Sequence, residues 1–113
     1  MKMHQIIELA KANNGITYSF KNETPKRYVV AVDREKQFPI LEERGLLKYV
    51  TENKDLLDRE GHFLGLWLND GVWYADVSVD TNRLEFAVAI GQAFNQKAIW
   101  DNVNQQELFL KVN

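Results

Sequence analysis

Hydrophobic positions change period along the chain, and the changes divide it into elements. Residues 2–13 place Met3, Ile6, Ile7 and Ala10 at three- and four-residue spacing, which predicts a helix with one buried stripe. Asn13-Asn14-Gly15 closes it, because Asn and Gly accept the left-handed conformation of a helix end. "GITYSF" and "RYVVAVD" are rich in β-branched and aromatic residues and predict two strands, joined as a hairpin by the polar "KNETPK". "DREK" reads as a solvated turn. "EKQFPILEERG" has no clear period: Pro39 suits a first helical turn, but Gly45 soon interrupts the pattern. From Leu46 the signal strengthens, with Tyr49, Val50, Asn53, Leu56 and Leu57 on the same face, predicting a helix over 46–59 that stops before Gly61.

The segment "LGLWLNDGVWYADVSVD" carries the strongest local signal. Asp70-Gly71 between two strand-like runs predicts a two-residue type I′ turn, whose central residues both need positive φ. That turn pairs Leu68 with Trp73, Leu66 with Ala75 and Leu64 with Val77 on one face. The other face then carries Trp67/Tyr74, Gly65/Asp76 and Phe63/Ser78. A three-residue turn would mix the faces, so the chemically consistent register is the expected one. "DTNRLEFAVAIGQAFNQ" predicts a helix capped by Asp80, Thr81 or Asn82, with Leu84, Ala87, Val88, Gly91 and Phe94 as its buried stripe. Ala87 and Gly91 would let it lie close to a sheet. "KAIWD" and "ELFLKV" complete the pattern as a hairpin around "NVNQQ". The expected architecture is a single α+β domain over 1–113, a largely antiparallel sheet with about three helices on one face.

Composition narrows the chemistry. The chain has 113 residues and no cysteine, which excludes thiolate catalysis, disulfides and Cys-type metal centres. Its 14 basic and 16 acidic residues are interspersed, giving a net charge of −2 and neither a strong basic field nor massed acidity. No apolar run is long enough to span a bilayer, and "MKMHQIIELAKANNG" lacks the unbroken apolar core of a secretory signal. No membrane partner and a cytoplasmic address are expected.

Catalytic constellations are weak. His62, Ser78 and Asp76 come near one another in the hairpin, but the register turns His62 and Ser78 to opposite faces. "DREGH" gathers three donors, more simply a helix end than a zinc site. The glycines form no phosphate-binding loop. No catalytic residue, metal or cofactor is therefore assigned, and an enzyme is the third class considered. Nucleic acid is the second: Lys21, Lys26, Arg27, Arg34 and Lys36 are interleaved with Tyr18, Phe20 and Tyr28, diluted by Glu23, Asp33 and Glu35. Protein binding comes first. If the helices cover the Leu/Trp73 face, Phe63, Trp67 and Tyr74 are left on the other with Asp76, a surface for a partner or a homodimer; if helices cover both, the rings are core. Arg27, Arg34 and Lys36 form a second, polar contact patch.

"GLWLNDGVWYADVSVDTNRLEFAVAIGQAFNQKAIWDNVNQQEL" resembles a pattern in small proteins of phages and other mobile elements, and in domains of their large polyvalent proteins. The matching residues are Gly65, Trp67, Trp73, Tyr74, Asp76 and Ser78, continuing through the Ala-containing helix to Asn95–Asp101. The likeness is best over 65–107 and looser over 27–110; Ala31 and Phe86 depart from it. It implies no catalytic residues. It implies a setting in which small proteins bind and block host defence machinery, CRISPR nucleases included. The expected function is accordingly stoichiometric inhibition of a host defence protein in the bacterial cytoplasm, with a nucleic-acid-binding accessory role as the alternative.

Overall fold

A computed structural model describes residues 1–111. Helix α1 (Met3–Asn13) precedes β1 (Gly15–Tyr18) and β2 (Tyr28–Phe38); α2 (Glu43–Glu52) and the single turn α3 (Lys54–Leu57) come next. The hairpin β3 (His62–Asn69) and β4 (Val72–Thr81), helix α4 (Leu84–Ala93), and the hairpin β5 (Ala98–Asp101) and β6 (Gln106–Phe109) complete the order. The strands form one six-stranded sheet, β1-β3-β4-β2-β5-β6, in which every pairing is antiparallel. The α+β class holds, with four helices rather than three. Val112 of the expected last strand lies outside the described residues.

The central hairpin has the register that its turn residues dictate. Asp70 and Gly71 adopt φ of 50° and 76°. Leu68 pairs with Trp73, Trp67 with Tyr74, Gly65 with Asp76 and Phe63 with Ser78. Asn14 closes α1 in the left-handed conformation, φ 57°, as its sequence context suggests.

Strand alternation shows where the helices lie. Leu64, Leu66, Trp73, Ala75 and Val77 share one face and join Ile6, Ile7 and Ala10 of α1, Leu46 and Tyr49 of α2, and Leu57 of α3 in the larger core. Val30 pairs with Val79 on that same face and meets Ala87 of α4 in a second cluster with Tyr28 and Ile99. Among the described residues, all four helices therefore cover one side of the sheet, and the opposite side carries none. Gly91 brings α4 close: a Cβ there would be 3.3 Å from Ile99 Cγ2 and 2.5 Å from Leu110 Cδ1. Among the described residues, no helix is long and apolar enough to cross a membrane.

Several local expectations are corrected. β1 and β2 do not form a hairpin; β1 pairs with β3 at the sheet edge, while β2 lies between β4 and β5. Their connection crosses the end of the sheet and is fastened there, Lys26 N–H to Asp80 Oδ2 at 2.8 Å and Arg27 N–H to Asn82 Oδ1 at 3.1 Å. Asp80 and Asn82 are thus engaged in tertiary bonds rather than in capping α4, whose N-cap is Arg83 and has no side-chain cap bond. "DREK" is not a turn but the middle of β2. Helix α2 begins at Glu43, so Gly45 lies inside it, where a Cβ would rest 3.4 Å from the Phe38 ring. Leu84 and Phe94 of the expected α4 stripe are exposed.

Candidate functional site

The helix-free face is built in rows across the strands. Gly15, Trp67, Tyr74 and Gln37 lie side by side on β1, β3, β4 and β2. Trp67 and Tyr74 stack with centroids 4.5 Å apart and an interplanar angle of 18°, both rings half-buried. In the next row Thr17, Gly65 and Asp76 lie abreast, and beyond them Phe63 pairs with Ser78 and Ser78 with Ala31.

Asp76 is enclosed, with 4% of its surface exposed. Its Oδ1 accepts from Ser78 Oγ at 2.5 Å and its Oδ2 from Trp67 Nε1 at 3.3 Å. The carboxylate occupies the space above Gly65 that any side chain would fill, since a Cβ there would collide with Asp76 Oδ1. Burial pushes the Asp76 carboxyl above the ordinary aspartate range and the Glu35 charge adds to the rise, against the lowering effect of the Ser78 and Trp67 donors. The bond from its indole N–H anchors Trp67, and Trp67 in turn fixes the ring of Tyr74 stacked on it. Ser78 is thereby committed to Asp76. His62 pairs with Val79 on the other side of the hairpin, and its Nδ1 lies 2.9 Å from the Glu60 carbonyl oxygen. The three residues do not form a catalytic constellation. Among the described residues no cluster of three His or acidic side chains could hold a metal, "DREGH" included.

Of the expected contact residues, Trp67 and Tyr74 reach the surface of this face. Phe63 does not: it points to this side but is 0% exposed, and like Asp76 it is enclosed rather than presented to a partner. The basic patch is divided. Arg27 stands just before β2 and pairs with Asp101 through Nε–Oδ1 and Nη2–Oδ2 contacts of 3.3 Å, which hold the Asp101 carboxyl below its usual range. Arg34 lies further along β2, where its guanidinium meets Asp55 at 2.7 and 3.1 Å and Asn53 at 3.2 Å. Lys36 places its ammonium 5.5 Å from the centre of the Phe38 ring.

The division comes from irregularity in β2. Against β4 its register slips between Ala31 and Asp33 and again between Asp33 and Lys36, so two β-bulges interrupt the ladder. Arg34 sits there with φ 58°. Its carbonyl accepts from Tyr49 Oη at 2.7 Å, which ties the bulged backbone to α2. Sequence reading missed Gln37, which extends the Trp67–Tyr74 row, and gave Gly65 no role. A glycine inside an otherwise good strand, facing an acid in the predicted register, was the signal available for the second. Comparison with protein-family models, with curated proteins and with solved structures gave no match.

Proposed function

We propose that this chain is a binding protein that acts stoichiometrically, presenting the helix-free face of its sheet to a protein partner. The observation that carries the reading is the placement of all four helices on one side, which leaves the Trp67–Tyr74 stack uncovered by any element of secondary structure. Large rings held rigidly, with an apolar body and a polar atom, suit the anchor role in an interface. The stack is held in advance by Asp76, so little side-chain freedom is lost on binding. Gln37 borders it in the same row and offers the partner a polar contact.

The partner we propose is a host defence component in a bacterial cytoplasm, foremost a CRISPR nuclease, blocked by occlusion. This choice rests on the resemblance of residues 65–107 to small mobile-element proteins. Of the five cations behind the nucleic-acid alternative, Arg27 and Arg34 are already ion-paired, which weakens that reading.

The test compares wild type with Tyr74→Ala, its fold checked by circular dichroism. Each is immobilised to capture partners from nuclease-treated lysate of CRISPR-bearing bacteria, and each is titrated into a CRISPR cleavage assay. Wild type is expected to retain the nuclease at moderate salt and to abolish cleavage near equimolar ratio. Tyr74→Ala is expected to weaken both by about 30-fold, the equivalent of a 2 kcal/mol anchor. Cleavage undiminished by excess wild type would refute the choice of target, and equal capture by both proteins would refute the face.

A further inference from the structure

β6 is an open sheet edge whose residues match themselves. It is the last strand in the sheet order and, among the described residues, pairs with β5 alone. The pairing is regular, Ala98 with Phe109, Ile99 with Leu108, Trp100 with Glu107 and Asp101 with Gln106. Leu110 N–H continues the ladder to the Lys97 carbonyl at 2.8 Å. In an antiparallel pair hydrogen-bonded positions alternate, so Gln106, Leu108 and Leu110 turn their backbone groups toward β5. Glu107 and Phe109 turn theirs outward.

Sheet edges are usually blunted by very short strands, charged side chains, proline, a bulge or a covering element. β6 is only four residues long and carries Glu107, but the segment 106–110 contains no proline, lysine or bulge. Within it Phe109 is 78% exposed, more than any other large apolar residue among those described.

We propose that this edge joins the same edge of a second copy of the chain, antiparallel about a two-fold axis through Phe109. In that register Phe109 faces its own counterpart, and the two exchange both backbone hydrogen bonds. Glu107 faces Lys111 of the other copy, twice by symmetry, and Leu108 faces Leu110. The alternatives are less complementary: an axis at Glu107 opposes like charges, and one at Leu108 sets Glu107 against Phe109 and Gln106 against Leu110. The two sheets become one, with both helix layers on the same side. Both Trp67–Tyr74 rows then share one continuous face. The dimer stands independently of the choice of partner for that face.

The experiment measures the dissociation constant of the purified protein by sedimentation equilibrium. Glu107→Lys and Lys111→Glu each place like charges opposite one another at two symmetric positions, and each is expected to raise the constant by about tenfold or more. The double swap restores opposite charges and is expected to recover wild-type association. In this cysteine-free chain, Phe109→Cys is expected to form a disulfide-linked dimer on mild oxidation, since hydrogen-bonded partners bring their Cα atoms to about 5.5 Å. A wild type that is monomeric at all concentrations, or a dimer indifferent to the charge changes, overturns the proposal. Failure of the double swap to rescue overturns the register.

Discussion

At the scale of single residues, Gly65 and Asp76 form a unit: one supplies the space, the other fills it with a carboxylate that holds Trp67. Gly65→Ala puts a methyl group into that carboxylate. The variant is expected to lose about 1–3 kcal/mol of stability, the usual cost of overpacking. Urea denaturation measures it, and an unchanged midpoint would show that Asp76 moves aside freely. The same carboxyl predicts a pH dependence. Unfolded, Asp76 titrates near 4; folded, it keeps its proton to higher pH. Between those values the folded chain holds more protons, so this residue's contribution is full below the ordinary value and declines as pH rises through the folded one. Asp101, lowered by Arg27, works in the opposite sense: its contribution is present above the ordinary value and is lost as pH falls through the folded one. Comparing melts of wild type and Asp76→Asn isolates the first effect. The stability of wild type relative to the variant should fall with rising pH from about 4 and then level off. A constant difference from pH 4 to about 8 would count against it.

Elements are held to the sheet by contacts that their own sequences do not announce. The bulged middle of β2 is tied to α2 and α3 by the Tyr49 hydroxyl and by the Arg34–Asp55 pair. Tyr49 is 1% exposed, and burial raises its phenol well above the ordinary tyrosine value. Tyr49→Phe removes one hydrogen bond and leaves the Arg34 carbonyl without this donor, at an expected cost of about 1–3 kcal/mol. Thermal or urea denaturation reads the loss. Hydrogen exchange should place the added opening in β2 around Arg34 rather than in the β3–β4 hairpin. Uniform loss of protection across the sheet would mean that the bond stabilises the fold as a whole and not the bulge.

For the whole molecule, the one-sided arrangement of helices is the decisive feature. A sheet covered on one side has a second side to finish, and here stacked rings over an enclosed acid finish it. Binding there should survive salt, because an aromatic anchor does not depend on the release of counterions from phosphate. Raising salt from about 50 to 200 mM should leave partner affinity within a few-fold, whereas contact with several phosphates would lose about 10³-fold or more. A steep salt slope would move the site to the cations.

Periodicity and turn chemistry were enough to determine the class of fold, α1, the central hairpin with its register, and the hairpin β5–β6. These rest on local rules: the left-handed Asn14, the type I′ turn at Asp70-Gly71, and faces that stay consistent only in one register. Candidate site residues were half legible, since the same alternation put Trp67, Tyr74, Phe63 and Asp76 on one face. Exposure was not legible, because alternation gives direction and not cover; Phe63 and Asp76 are enclosed, while Trp67 and Tyr74 reach the surface. Only the tertiary structure decided that β1 joins β3 and not β2, that Asp80 and Asn82 hold a distant loop instead of capping α4, and that Arg27 lies apart from Arg34. Each depends on partners far along the chain, and local patterns contain no information about which distant group will satisfy a carboxylate, a backbone N–H or a guanidinium.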